Sequence, residues 1–194
     1  MTEPLRFGLI GCGRVAPRHA ESLAELPGAA LVAVADVRES RAQRFAKQYG
    51  ADPYTDYRLM LARADIDVIS ICTPSGLHAA MAIEAMRAGK HVIVEKPMAL
   101  SLTDADAMIR VAHETGRKLC VVLQNRYNPP MQDLRRVVDS GRLGLLLNGL
   151  PAVRITNTTN VCVARDSTNH PVWNSAAFVE AWNTQSTTPK VRKS

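Results

Sequence analysis

Three observations predict an α/β fold built on a doubly wound parallel sheet. Short apolar runs alternate with longer helical patterns over the first 123 residues. Those runs are almost continuously aliphatic, the mark of strands buried on both faces. The first run ends in Gly11-Cys12-Gly13, and a helical pattern follows directly.

The predicted strands are RFGLI (6–10), LVAVA (31–35), DVISI (67–71), HVIVE (91–95) and KLCVVL (118–123). Helices are predicted at 14–26, 39–49, 56–63, 76–88 and 103–115, with a further one at 129–140. Arg14 is expected to open the first. Ser101, Thr103, Asp104 and Asp106 offer capping oxygens to the fifth. Gly89 and Gly116 fall where helices should stop. After the turn sequence GRLG (141–144) the character changes. Residues 151–194 contain no glycine, and Ser, Thr and Asn fill 16 of those 44 positions against 14 of the first 150. The closing NTQSTTPKVRKS reads as disordered. The predicted division is a nucleotide-binding domain over 1–124, the start of a second domain over 125–150, and an atypical tail over 151–194.

At 194 residues the chain can bury one full core. Aromatic residues make up only 5%, so aliphatic packing must carry that core. No apolar run approaches the ~20 residues that span a bilayer. The opening MTEPLRFGL lacks the basic-then-apolar pattern of a signal peptide, so a cytoplasmic location is expected. Cys12, Cys72, Cys120 and Cys162 lack metal-ligand spacing, and no metal site is expected. The first three sit in or just after apolar runs and read as buried, reduced thiols. The formal net charge is +6, and residues 151–194, with five basic and two acidic residues, supply +3 of it. No basic stripe interleaved with aromatics is present, so nucleic acid is not an expected partner.

Three stretches carry chemistry. In the first, Gly11 and Gly13 follow a strand, and Ala16 stands where a small residue permits close helix–strand packing. Missing side chains at 11 and 13 let a pyrophosphate approach the backbone, and a helix N-terminus supplies N–H donors and a positive dipole end. Asp36 ends the second strand, 23 residues after Gly13, where a carboxylate can accept both hydroxyls of an adenosine ribose. An acid there repels a 2′-phosphate, which favours NAD; Arg38 leaves NADP open. The plainer alternative is a tight turn beside a surface Asp. In the second stretch, ISICTPSGLH, Thr73 and Pro74 end a parallel strand on the edge where ligands bind. His78 is either part of that edge or a partly buried helix residue. In the third, HVIVEKPMAL, Glu95, Lys96 and Pro97 end another strand on the same edge. Lys96 could bind a substrate hydroxyl, steady an oxyanion or move a proton, or it is a solvated loop lysine.

Together, GLIGCGRVAPRHAESL, ADVRESRAQRFAKQYG, DVISICTPSGLHAAMAIEAMRAGKHVIVEKPMAL and QNRYNPPMQDLRRVVDSGRLG resemble the glucose-fructose oxidoreductase, inositol dehydrogenase and rhizopine catabolism (Gfo/Idh/MocA) family. The resemblance covers about residues 5–144. QNRYNPP further resembles the branch that oxidises the 3-hydroxyl of UDP-N-acetylglucosaminuronate in polysaccharide pathways. The resemblance implies a Rossmann-type sheet and an NAD-dependent dehydrogenase that moves hydride from a sugar or nucleotide-sugar carbinol to the nicotinamide. It implies that Gly11, Gly13, Arg14 and Val15 line the pyrophosphate turn and that Asp36 binds the adenosine ribose. Thr73, Pro74 and His78 would run along the nicotinamide half. Glu95 and Lys96 would meet the nicotinamide ribose, with Lys96 also catalytic and facing the substrate. Gln124 and Asn125 would border the cofactor, and Asn125 and Arg126 the substrate.

Family members are nearly twice this long, and their second domain holds the sugar and forms the subunit interface. Nothing after Gly144 resembles it, and His170, the only histidine there, lies in the unrelated STNHPVW. The expectation is a truncated or frame-shifted end. Two functions stay open at this point: a sugar dehydrogenase, and a dinucleotide-binding module without catalysis.

Overall fold

The computed structural model describes residues 3–123 and 128–141. Its elements in chain order are β1 (Leu5–Ile10), α1 (Ala16–Glu25), β2 (Ala29–Ala35), α2 (Glu39–Tyr49), β3 (Asp52–Tyr54) and α3 (Tyr57–Leu61). There follow β4 (Val68–Ile71), a 3-10 turn at Ser75–Leu77, α4 (His78–Arg87), β5 (His91–Val94), α5 (Leu102–Thr115), β6 (Leu119–Val121) and α6 (Pro129–Asp139). The six strands form one sheet in the order β3-β2-β1-β4-β5-β6, and every pair is parallel. The winding reverses between β1 and β4, which opens a crevice beyond their carboxyl ends. This is the expected doubly wound, Rossmann-type α/β fold.

Period-two alternation divides the strand residues between two helical layers. On one face Ile69, Ile71, Val92 and Val94 pack with Met60 of α3 and with Ala82, Met86, Met108 and Val111 of α4 and α5. On the other, Leu9 and Val34 meet Ala16 and Ala20 of α1 and Phe45 and Ala46 of α2. Phe7, Val68 and Ile93 join Leu23 on that same side. The core is aliphatic, as the shortage of aromatics requires.

Most elements differ from expectation by one to three residues at an end, and two differences have a local cause. The strand β3 was not predicted. Its sequence, Asp52-Pro53-Tyr54, contains no apolar run, and it pairs only with β2 at the sheet edge, where a proline is tolerated. Helix α1 begins at Ala16 rather than Arg14, because Gly13 to Val15 complete the turn and Pro17 lies in the first helical turn, where its missing N–H costs nothing. The cap at Ser101 is as expected: its side chain accepts the Asp104 N–H. Cys12, Cys72 and Cys120 are buried free thiols. Cys162, the tail over 151–194 and its expected disorder lie outside the described residues. No described helix is long and apolar enough to cross a membrane.

Candidate functional site

The turn after β1 is clamped from two sides. The Gly11 N–H donates to the Ala35 carbonyl at 2.7 Å, and the Cys12 N–H donates to Asp36 Oδ2 at 3.0 Å. Asp36 Oδ1 accepts the Arg38 N–H at 2.9 Å. The two glycines serve different purposes. Gly11 has φ +93°, and a Cβ there would lie 3.0 Å from the carbonyl carbon and oxygen of Cys72. A Cβ on Gly13 would meet nothing within 4 Å. The first glycine is demanded by the protein itself; the second leaves a space that the protein does not fill.

Helix α1 points into that space without a cap of its own. Val15 at its start makes no side-chain capping bond, and its first turn carries no acid. Pro17 has no N–H and the Arg18 N–H donates to the Val15 carbonyl at 3.2 Å, so what this terminus offers an anion is chiefly its positive dipole end.

The edge formed by β1, β2, β4 and β5 encloses a crevice of about 1020 Å³. Every described candidate lines it: Gly11, Gly13, Arg14, Val15, Asp36, Thr73, Pro74, His78, Glu95 and Lys96. Gln124, Asn125 and Arg126 lie outside the described residues. Arg18, Arg38 and Arg41 also line the crevice, so with Arg14 and Lys96 its cationic side chains outnumber Asp36 and Glu95. That balance suits a dinucleotide's two phosphates.

At the far end, Lys96 is exposed at the crevice and makes no ion pair among the described residues. Glu95 beside it is only 7% exposed. Its Oε2 accepts the Lys96 N–H at 3.2 Å, and its Oε1 lies 3.0 Å from His19 Nε2. His78 is 1% exposed. Its Nδ1 lies 2.8 Å from the Pro97 carbonyl oxygen and its Nε2 2.9 Å from that of Thr73. The ring thus ties the Glu95-Lys96-Pro97 strand end to the β4 strand end, and its polar atoms face backbone.

The motif reading passed over His19 and Ser70. His19, on α1 and 2% exposed, reaches Ser70 Oγ at 2.8 Å as well as Glu95. The order Ser–His–Glu imitates a nucleophile–base–acid relay, but Ser70 is 2% exposed inside β4, where no substrate carbonyl can reach it. Burial opposes charge on the His19 ring; Cys72 and Glu95 outweigh it and push the ring up to about 10. Burial, then Asp36 and Cys72, push the Cys12 thiol up to about 12, so it is an inert part of the turn. The signal for His19 was a lone serine in the otherwise aliphatic VISI. It faces the α1 layer opposite Ile93 of β5, two residues short of Glu95 on the same side of the sheet.

The family model described as the oxidoreductase family with an NAD-binding Rossmann fold matches residues 5–123. The chain belongs to the Gfo/Idh/MocA oxidoreductase family. Among solved structures, it is similar to the WlbA dehydrogenase of Bordetella pertussis in complex with NADH and UDP-GlcNAcA. The two are 38% identical with a TM-score of 0.71, over 73% of this chain and 44% of that one. It is also similar to KijD10, a 3-ketoreductase from Actinomadura kijaniata in complex with NADP and TDP-benzene. That likeness is 34% identical with a TM-score of 0.67, over 72% of this chain and 43% of that one. A third relative is the 4-carboxy-2-hydroxymuconate-6-semialdehyde dehydrogenase of Sphingobium sp.. It is 34% identical over 176 residues, 89% of this chain and 56% of that protein. This last match is longer than residues 5–144, so likeness to the family is not confined to that stretch. The chain spans about half the length of these relatives.

Proposed function

We propose that the crevice binds NAD and that the chain serves the oxidation of a secondary hydroxyl on a sugar or nucleotide-sugar, with a UDP-N-acetylglucosaminuronate-like molecule as substrate. The observation that carries this reading is the gathering of ten candidate residues from four strand ends around one cationic crevice. In it the α1 terminus and the open space at Gly13, past β1, lie between Asp36 past β2 and Lys96 past β5.

Each residue then has a physical task. Asp36, held by the N–H groups of Cys12 and Arg38, accepts the two adenosine ribose hydroxyls. The α1 terminus, with Arg14 and Val15, takes the pyrophosphate, which the open space at Gly13 admits. Thr73 and Pro74 form the wall of the nicotinamide half, and His78 keeps that wall joined to the Lys96 loop. Glu95 accepts a nicotinamide ribose hydroxyl. The bound nicotinamide supplies the hydride acceptor. Lys96 holds the substrate oxygen and removes its proton as the carbon loses hydride. Gln124, Asn125 and Arg126 border cofactor and substrate on this reading.

The test is a fluorescence titration of the 194-residue chain with NADH, followed by an assay of NADH formation from NAD and UDP-N-acetylglucosaminuronate. Saturable binding with turnover supports the proposal. Binding without turnover removes the substrate half of it, and absence of binding removes both.

A further inference from the structure

We propose that His19 is a positioning residue for the nicotinamide half of the crevice: from the first helix it holds the Glu95 carboxylate in place, and Ser70 sets the angle of its ring. The inference rests on the reading of the crevice as a dinucleotide site.

The argument begins with the strands. Alternation along β4 puts Val68, Ser70 and Cys72 on the side facing α1. Along β5 and its end it puts Ile93 and Glu95 on that side. His19 is the one buried polar side chain that α1 contributes; it meets Ser70 and Glu95 of those two rows, 51 and 76 residues away in sequence, and the Cys72 thiol also bears on its ring. Burying a carboxylate and an imidazole is costly unless each is paired. Here the pairing is complete. Glu95 Oε1 is taken by His19, Nδ1 of His19 faces Ser70, and Glu95 Oε2 receives only the long 3.2 Å bond from the Lys96 N–H.

That division of the carboxylate is what the site needs. Oε1 is anchored in the core, and Oε2 keeps acceptor capacity on the crevice side, where Glu95 forms part of the wall. A glutamate has three rotatable side-chain bonds, and a free one would lose that freedom on meeting a ribose hydroxyl. His19 removes that cost before the ligand arrives.

The test separates the two halves of the ligand. ADP carries the adenosine and pyrophosphate only, whereas NADH also reaches the Glu95 end. Wild type, His19→Gln and Ser70→Ala are titrated with both, and folding is followed by circular dichroism and Tm. His19→Gln is expected to weaken NADH about tenfold, the loss of one charge-assisted hydrogen bond, and to leave ADP within about twofold. Ser70→Ala, nearly volume-neutral, should weaken NADH about threefold and spare ADP; it carries the test if His19→Gln does not fold. A merely structural histidine would move both ligands together, and that result overturns the inference. So does NADH binding unchanged in folded variants, which leaves the cofactor reading intact. A wild-type chain that binds neither ligand overturns both.

Discussion

Asp36 Oδ2 accepts the amide hydrogen of Cys12 at 3.0 Å, so the acid that ends β2 and the turn that ends β1 form a single unit. The carboxylate is oriented before any ribose arrives. Arg38 and Arg41 line the same end of the crevice. Replacing Asp36 by Ala should therefore weaken NADH by about 10- to 100-fold, the loss of one or two charge-assisted bonds. It should strengthen NADPH, because the repulsion of a 2′-phosphate disappears while the guanidinium groups remain. Parallel titrations with the two reduced cofactors check this; equal losses for both would show that Asp36 is not the discriminating group.

The two glycines of the turn should separate stability from binding. Gly11→Ala forces a Cβ onto a backbone at φ +93° and to 3.0 Å from Cys72 carbonyl atoms. A loss of about 2–4 kcal/mol is expected, read as a lowered midpoint in urea unfolding. Gly13→Ala meets no neighbour, so its unfolding midpoint should match wild type within about 0.5 kcal/mol. The same methyl group occupies the space read here as the phosphate approach, and NADH binding should fall at least about tenfold.

Much of this architecture was legible because it depends on local signals. Aliphatic runs mark β1, β2, β4, β5 and β6, and Gly11-Cys12-Gly13 before a helical pattern marks the turn. Asp36 and the Glu95-Lys96-Pro97 end could be assigned to one edge because parallel strands all end on the same side. β3 escaped because its existence depends on the neighbouring β2 and not on the apolarity of Asp52-Pro53-Tyr54. The start of α1 was misplaced by two residues because turn and helix share the same small and polar residues there. His19, Ser70 and Glu95 form one network only after three elements pack together, and no local pattern relates them.

Lys96 should separate binding from chemistry. Its ammonium makes no ion pair among the described residues and stands at the crevice next to the anchored Glu95. Lys96→Met keeps the length of the side chain and removes the proton-carrying group. NADH affinity should change less than about threefold. Oxidation of UDP-N-acetylglucosaminuronate should slow by about 10²- to 10⁴-fold, the usual worth of a positioned acid–base group. Single-turnover measurement of NADH formation reads this directly. A variant with full rate would assign Lys96 to the solvated loop.

Two histidines at opposite ends of the sheet should shape stability against pH in opposite directions. His91 opens β5, and its Nδ1 accepts the Lys118 N–H. Burial first, then Arg117 and Lys118, lower it to about 3. The unfolded chain binds that proton more readily than the folded one. The stabilisation is therefore full above the ordinary histidine value of about 6.5 and is lost as pH falls from there towards about 3. His19 has the opposite sign. Its folded value lies above the ordinary one, so its contribution is full below about 6.5 and is lost as pH rises through about 10. Urea midpoints measured across this range should fall off on both sides. His91→Gln should flatten the acid limb alone, and His19→Gln the alkaline limb alone. Flattening of the wrong limb by either variant would reverse the assigned charge state of that ring.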